Sequence, residues 1–335
     1  MASTEKSRGL KRFAGVLISI ASILLIFKLT ETSVTWSVIL QANPELLVLA
    51  FMLHALFWLF WAVRLKLLFS FLNHTISVGY ALDTTLASMF LAAITPSSAG
   101  GEPVRVKMLV DKGATIGSAS AIVLAERLLD AIFFIAALSI FMLLSGFSTK
   151  FGLKVGIVFF ISLVIFIAFL YMGIKKPERT DALVDKCYPT LKRILNEEKA
   201  VKICDYIKRE LRLFSDALLE LANSYKRLTT VILLTAAIWI PEFLVPSAVL
   251  MAFNQSPFVL YSITAQLIIV IVSLVPLTPG SSGIAEASMF YLYARFVTAH
   301  TLGVLVGVWR AFTYFSNLIV GFIITAKVLK TQYSN

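Results

Sequence analysis

The chain has 335 residues, 59% of them hydrophobic and 15% charged, against roughly 45–50% and about 25% in soluble domains, so a water-soluble globular fold is excluded. A net charge of +11 would suit a nucleic-acid partner, but the lysines and arginines gather at the ends of apolar stretches and between residues 175 and 227. That is the charge pattern of a polytopic membrane protein, and no nucleic-acid partner is expected.

In chain order, Lys6, Arg8, Lys11 and Arg12 precede an apolar run over 13–29 that lacks a small-residue cleavage site. It reads as an uncleaved anchor leaving the cytoplasm. A second helix returns over 46–63, with Arg64 and Lys66 marking the cytoplasmic edge. The apolar run from Tyr80 to Thr95 is too short for a full crossing, and Arg105, Lys107 and Lys112 follow it. The reading is a re-entrant hairpin over about 80–112, entering and leaving on the cytoplasmic side. Helices over 116–146 and 153–174 go out and back.

Between 175 and 227, Cys204, Ile207, Leu211, Phe214, Leu218, Leu221 and Tyr225 recur at spacings of three and four, the stripe of an amphipathic helix. Its apolar face either packs on its own bundle or the membrane surface, or pairs two copies. Cys187 and Cys204 lie in this lysine-rich segment, where a disulfide is not expected. His54, His74 and His300 have no metal-ligand spacing, and neither metal nor cofactor is expected.

The second half opens with a helix over 228–253, bent by Pro241 and Pro246, which remove backbone hydrogen bonds. Residues 258–277 enter from outside, and 288–297 lead back, giving a second re-entrant hairpin over about 258–298. A final helix over 301–326 brings Lys327 and Lys330 inside. The expected organisation is all-α and multi-pass: a first membrane half (1–174), a cytoplasmic linker (175–227) and a second membrane half (228–335), the halves being inverted-topology repeats. Both termini are placed in the cytoplasm.

The hairpins turn at related signatures, Thr95-Pro96-Ser97-Ser98-Ala99-Gly100-Gly101-Glu102 and Thr278-Pro279-Gly280-Ser281-Ser282-Gly283-Ile284-Ala285-Glu286. Pro96 and Pro279 cannot donate backbone hydrogen bonds, and Gly100, Gly101 and Gly280 permit a sharp turn. Irregular backbone at that depth must be buried in protein or face water. Helices starting near Pro103 and Gly283 would point their amino termini, with free amides and the positive dipole end, at the membrane interior and favour an anion there.

Pro96 and Arg127 are 31 positions apart, as are Pro279 and Arg310. Both arginines fall about ten residues into apolar helices, near mid-bilayer. A central arginine there costs at least about 2.5–3.5 kcal/mol and needs a partner or a function. Glu126 and Asp130 are near Arg127 in sequence, and Glu102, Glu286 and Glu242 come from other segments. Two readings stand: Arg127 neutralised by Asp130 as an i,i+3 pair, or a phosphate gripped by the planar guanidinium. Glu242 beside Pro241 reads equally as serving the bent helix. Trp58, Trp61, Trp239 and Trp309 read as packing or interface residues.

These residues carry a resemblance. Pro96 to Arg105, the run Ala125-Glu126-Arg127-Leu128-Leu129-Asp130, and Pro276 to Glu286 are similar to the membrane region of lysylphosphatidylglycerol synthases and their stand-alone flippase-like relatives. The resemblance covers nearly the whole chain. It implies translocation of a phospholipid or lipid-linked phosphate between leaflets, with Glu102, Arg105, Glu126, Arg127, Asp130, Glu286 and Arg310 as the functional charges; Gly283 joins this set through its place at a helix start. Full-length synthases also carry a soluble aminoacyl-transferase domain, whereas five residues follow Lys330 here, so lysyl transfer is not expected.

The expected partner is a membrane lipid with an anionic headgroup, with a second copy or a separate lipid-modifying enzyme as further partners. A flippase or scramblase of the cell membrane is the leading reading, and no enzymatic activity is expected. The alternatives are a membrane-embedded headgroup transferase or hydrolase and a small-solute secondary transporter. Single cysteines at Gly146 and Asn254 should react with impermeant reagent from outside, and one at Glu198 only from inside; a reversal at any position overturns the tracing.

Overall fold

The computed structural model describes residues 20, 40–95, 100–146, 150–194, 196–275, 278 and 280–333. The helix expected over 13–29, Ile20 apart, and the two signature prolines, Pro96 and Pro279, lie outside the described residues. The described elements are α1 (Pro44–Phe71), α2 (Val78–Ile94), α3 (Gly101–Val110), α4 (Ile116–Ser145), α5 (Lys150–Lys175), α6 (Pro177–Ile194) and α7 (Glu197–Ala222). They continue as α8 (Tyr225–Ala252), α9 (Val259–Ser273), α10 (Ile284–Tyr293), α11 (Ala299–Arg310), a π turn (Ala311–Phe315) and α12 (Ser316–Tyr333). The fold is all-helical, with no strand among the described residues.

Among the described residues, five helices are long and apolar enough to cross a membrane: α1, α4, α5, α8 and the stretch Ala299–Lys330. At 28 residues, α1 and α8 each extend about 42 Å, more than the hydrocarbon core. The shorter apolar helices α2 and α9 fall below that length.

Local chemistry sets the ends. Asn43 caps α1 by accepting from the Glu45 amide at 2.9 Å, Ser77 caps α2 through the Tyr80 amide, and Thr115 caps α4 through the Ser118 amide. Such side-chain oxygens satisfy amides that have no partner within the helix. Gly146, at φ +62°, closes α4 in the left-handed conformation.

Elements recur across the chain. The starts of α1 and α8, and those of α2 and α9, are each 181 positions apart; those of α3 and α10, and of α4 and α11, are each 183 apart. Packing follows the same correspondence. The pair α1 and α8 packs together most extensively, α2 packs on α3 and on α12, and α9 packs on α10 and on α4.

Contacts also distinguish the bundle's two ends. At one, the Asn43 amide donates to the Ala252 carbonyl at 2.8 Å, and Thr264 of α9 hydrogen-bonds Ser145 of α4. At the other, Arg227 reaches the Phe71 carbonyl, Glu210 of α7 accepts from the Gly117 amide, and Lys327 meets Asp83 of α2. The helices α2 and α9 therefore start at opposite ends.

Three expectations need correction. Helix α1 does not stop at Arg64 but runs on to Phe71, with Arg64 fully buried, because carboxylates of α4 receive its charge. The last helix is interrupted by the π turn immediately after Arg310. In α7 the buried face comprises Ala200, Cys204, Ala217 and Leu221, while Ile207 is 38% and Tyr225 75% exposed.

The turn-forming glycines divide. Gly280 has φ +57°, Ser281 +54° and Gly283 +86°, so the second break uses left-handed backbone. Gly100 has an ordinary φ of −72°. Around the first break glycine is required for space instead, since a Cβ on Gly101 would lie 2.6 Å from the Ser88 carbonyl oxygen.

Helices α6 and α7 are joined by Lys208–Asp185 and Arg212–Asp181 contacts of 2.6 Å each. The Asp185 hydrogen bond holds the Lys208 pKa above its ordinary value. Helix α7 packs chiefly on α4, which answers what its apolar face covers. The approach is so close that a Cβ on Gly117 would overlap the Glu210 carbonyl. Gly117→Val should therefore push α7 away, costing about 1–3 kcal/mol. Buried Cys204 should become reactive toward a maleimide while exposed Cys187 keeps its rate; an unchanged Cys204 rate would contradict this packing.

Candidate functional site

Helix α4 presents Glu126, Arg127 and Asp130 within little more than one turn, so three charges project from one stretch of an apolar helix. Glu126 and Asp130 are 0% and 3% exposed. Carboxylates this deep need full compensation. Asp130 receives it from Arg64 of α1, whose Nη1 and Nη2 reach Oδ1 and Oδ2 at 2.6 and 3.3 Å. Trp239 of α8 donates its indole N–H to the same Oδ1 at 2.8 Å.

Glu126 is held by Arg105 of α3, Nη1 to Oε2 at 2.9 Å, and by the Trp61 indole at 3.0 Å. The Arg64 Nε lies 3.4 Å from its Oε1. Two further guanidinium protons go to hydroxyls, Arg64 Nη1 to Thr235 at 2.9 Å and Arg105 Nη2 to Ser88 at 3.0 Å, while the Nε of each is buried without a hydrogen-bond acceptor among the described residues. The Trp61 ring lies amid three guanidinium groups, 5.6, 5.0 and 5.4 Å from Arg64, Arg105 and Arg127, within cation–π range.

Arg127 differs from the other two arginines because it is exposed. Its Nε donates to Glu102 Oε1 at 2.8 Å, and the two side chains are 37% and 47% exposed. Its contact with Asp130 is only 3.7 Å, so the i,i+3 pair is secondary to the bond from α3. Arg64, Arg105 and Arg127 thus face Glu102, Glu126 and Asp130, three charges against three. Of the three carboxylates, Glu102 is the one not buried in protein.

The second half repeats this motif. Arg310 Nε donates to Glu286 Oε1 at 2.9 Å, as Arg127 does to Glu102, yet here the side chains are only 7% and 0% exposed. The Glu286 Oε2 accepts from the Gly283 amide at 2.6 Å, closing the start of α10. The anion position expected between helix terminus and arginine is therefore filled by the protein's own glutamate. At the other signature, the Thr95 hydroxyl caps the Gly100 amide at 2.9 Å. The Arg310 Nη2 is buried without a hydrogen-bond acceptor among the described residues.

The two breaks meet. Tyr314 of the π turn lies under the Arg310 guanidinium, 4.8 Å from ring to carbon, and donates to the Ala93 carbonyl at 3.2 Å. A Cβ on Gly280 would lie 2.8 Å from that same Ala93 oxygen. The signatures thus converge although their charged groups form two distinct networks.

Beside Arg127 opens a cavity of about 300 Å³. Arg127 and Asp130 line it together with Phe134, Phe159, Phe166 and Leu274. It is polar at one side and apolar elsewhere.

Sequence reasoning placed Glu102, Arg105, Glu126, Arg127, Asp130, Gly283, Glu286 and Arg310 in one anion site shared by both signatures; the structure instead divides their contacts between two networks, Glu102, Arg105, Glu126, Arg127 and Asp130 in one and Gly283, Glu286 and Arg310 in the other, because each arginine is neutralised within its own half. Sequence reasoning missed Arg64, which it put at a membrane edge, and the roles of Trp61 and Trp239, which are carboxylate ligands as well as packing residues. Glu242 serves neither arginine nor the bent backbone alone; it contacts His54 Nδ1 at 2.7 Å. The available signal was the apolar flank of each residue, since Arg64 follows Trp61-Ala62-Val63 and His54 sits mid-helix.

A family model for the lysylphosphatidylglycerol synthase TM region matches residues 12–321. The chain belongs to this family. A UPF0104 membrane protein of Archaeoglobus fulgidus is 48% identical over 321 residues, covering 95% of this chain and 98% of that protein. A second, from Pyrococcus horikoshii, is 24% identical over 300 residues, covering 85% and 87%. The span matched to the lysylphosphatidylglycerol synthase TM region contains both arginine networks whole.

The geometry separates structural from accessible arginines. Arg64→Ala removes the main ionic partner of buried Asp130 and should cost about 3–5 kcal/mol. Arg127→Ala, at a half-exposed pair, should cost no more than about 1 kcal/mol. Denaturation of both variants in detergent checks this, and equal losses would make Arg127 part of the framework.

Proposed function

We propose that this protein translocates a lipid with a phosphate-bearing anionic headgroup between membrane leaflets, without changing it chemically. The observation that carries this reading is the amphipathic cavity beside Arg127. Its charged side suits a phosphate and its aromatic and aliphatic walls suit the start of an acyl or isoprenoid chain. At about 300 Å³ it is at the small end of ligand sites, sized for a headgroup and its linkage rather than a whole lipid.

In this reading Glu102 is a resident stand-in for the headgroup. Its carboxylate satisfies Arg127 when no lipid is bound, and an entering phosphate displaces it. The exchange leaves the charge of Arg127 compensated throughout, avoiding the cost of a bare guanidinium at depth. A phosphate also offers more acceptor oxygens than a carboxylate and accepts the guanidinium fork in bidentate fashion.

We further read the halves as inverted-topology repeats with re-entrant hairpins α2–α3 and α9–α10, supported by the recurring element spacing and by the opposite starts of α2 and α9. One glutamate–arginine pair is exposed and its counterpart sealed, the asymmetry expected of a carrier open to one leaflet. Rocking of one repeat against the other would seal Glu102–Arg127 and open Glu286–Arg310. The membrane placement is the cell membrane with both termini cytoplasmic.

Proteoliposomes containing headgroup-labelled phospholipid or polyprenyl phosphate test this. The protein should accelerate headgroup movement with no new lipid species formed. Arg127→Ala and Arg310→Ala should each slow it by about tenfold or more, as expected for losing a hydrogen bond to a charged group. Glu102→Gln should bind labelled lipid at lower concentration because the competing carboxylate is gone. Normal rates in both arginine variants would end the phosphate-site reading, and a new lipid species would indicate an enzyme.

A further inference from the structure

A polar group outside both arginine networks crosses the centre of the bundle. His54 of α1 is 0% exposed, and its Nδ1 lies 2.7 Å from Glu242 Oε2 of α8, whose side chain is 14% exposed. The other ring nitrogen, Nε2, lies 3.4 Å from Asn317 Oδ1 of α12. Around the imidazole are Phe57, stacked at 5.5 Å, and Trp58, edge-on at 4.8 Å. An ionisable side chain in such surroundings within a membrane-spanning helix marks a functional position by default.

The hydrogen-bond pattern fixes where the protons are. An indole N–H can only donate, and that of Trp58 points at Asn317 Oδ1 from 2.7 Å. The Asn317 amide nitrogen donates to the Thr313 carbonyl. The amide orientation is thereby set, and an acceptor faces His54 Nε2 at 3.4 Å, so a hydrogen on Nε2 has a partner. At the other side, a bare Nδ1 and a bare carboxylate would place two lone pairs 2.7 Å apart. A proton therefore sits between Nδ1 and Oε2. With Nε2 also protonated the pair is an imidazolium facing a carboxylate, neutral overall; with Nε2 bare, the neutral imidazole keeps its Nδ1–H on Glu242 and the pair carries one negative charge in apolar surroundings.

Among the described residues of the packed helices, no other ionisable group is paired with His54 or Glu242. Arg64 of α1 and Glu126 and Asp130 of α4 compensate one another, and Arg310 of α11 is bound to Glu286 of α10. Tyr314 of the π turn donates to Ala93, Asp83 of α2 is paired with Lys327 of α12, and α9 contributes Tyr261 near its start. Glu242 follows Pro241 in a helix that also contains Pro246, where missing backbone bonds allow bending. Asn317 lies just beyond the π turn, an element frequent at functional positions, and Arg310 is on that turn's other side.

We propose that His54 and Glu242 form an intramembrane proton-binding site, one proton staying between Nδ1 and Oε2 and a second being taken up and released at Nε2, and that this second proton drives the conformational cycle. Protonation lets Nε2 donate to Asn317 and latches α1 to α12. Release leaves two lone pairs facing one another there and frees Asn317, which is linked through the π turn to Arg310, while Nδ1–H stays on Glu242. The proton-binding part stands apart from the identity of the transported molecule; the coupling rests on the translocation reading.

The chain has three histidines, so ¹⁵N-histidine labelling of the full protein in nanodiscs gives three ring systems, with His54 assigned by its loss in His54→Gln. Across about pH 5–9, the range in which histidine ordinarily titrates, the His54 signals should undergo one proton exchange. Glu242→Gln should displace that event by at least about one pH unit, and Glu242→Asp should retain it. A His54 ring that is invariant over this range, or indifferent to Glu242→Gln, overturns the site.

In proteoliposomes a pH gradient should speed headgroup movement several-fold in the native protein and have no effect in Glu242→Gln. Headgroup movement insensitive to the gradient in the native protein overturns the coupling. Titration of His54 with no lipid movement in any variant would retain the proton site and reject translocation.

Discussion

The buried ion network around Trp61 is the interaction on which the other features of this protein depend. Arg64 and Arg105 are 0% and 1% exposed and face Glu126 and Asp130 from different helices, so α1, α3 and α4 must meet at one place. Thr235, Trp239 and Ser88 add hydrogen bonds to the same groups and bring α8 and α2 to the same point. Apolar side chains gain little by leaving lipid for protein, so a membrane bundle is oriented chiefly by close packing and by polar groups that have no other partner. Here such a demand fixes five helices.

That framework leaves Arg127 exposed. Since the buried carboxylates are already engaged, Arg127 depends on Glu102, a residue in the first turn of the short helix α3. The second half uses the same solution with Glu286 at the start of α10, but there Gly283 and the surrounding packing close over it. A glutamate at a helix start beside a guanidinium reproduces the charge and hydrogen-bonding demand of a bound anion. In both halves the arginine's ionic partner is thus the protein's own side chain.

The two networks and the His54–Glu242 pair are mechanically connected. Arg310 ends α11, the π turn follows, and Asn317 opens α12 against His54. Tyr314, within the turn, reaches the end of α2 just ahead of the first signature. A π turn carries one more residue than an α turn and can shift register without breaking hydrogen bonds wholesale. It is placed where a change at the centre of the bundle would be felt at both breaks.

Much of the architecture was legible in the sequence because membrane burial makes apolar length and charge placement nearly sufficient: α1, α4, α5, α8 and the last helix stand out as long, predominantly apolar runs. The equal spacing of Pro96 to Arg127 and Pro279 to Arg310 also disclosed the repeated glutamate–arginine motif. The extent of α1 was not legible. Arg64, followed by Lys66, has the same local appearance as an interfacial arginine, and only carboxylates 62 and 66 positions away distinguish the two. Likewise the stripe in α7 gave an apolar face without its partner.

By itself the sequence determined that the chain is a helical membrane protein, where its apolar helices run, and which charges recur in its two halves; these follow from local composition and periodicity. The tertiary structure alone decided which charges neutralise one another, which arginine stays accessible, and that His54 meets Glu242 across 188 positions. Pairing of charges is a property of distance in space. In an apolar medium it is enforced by the cost of leaving any of them alone, and no local pattern records which distant residue meets that demand.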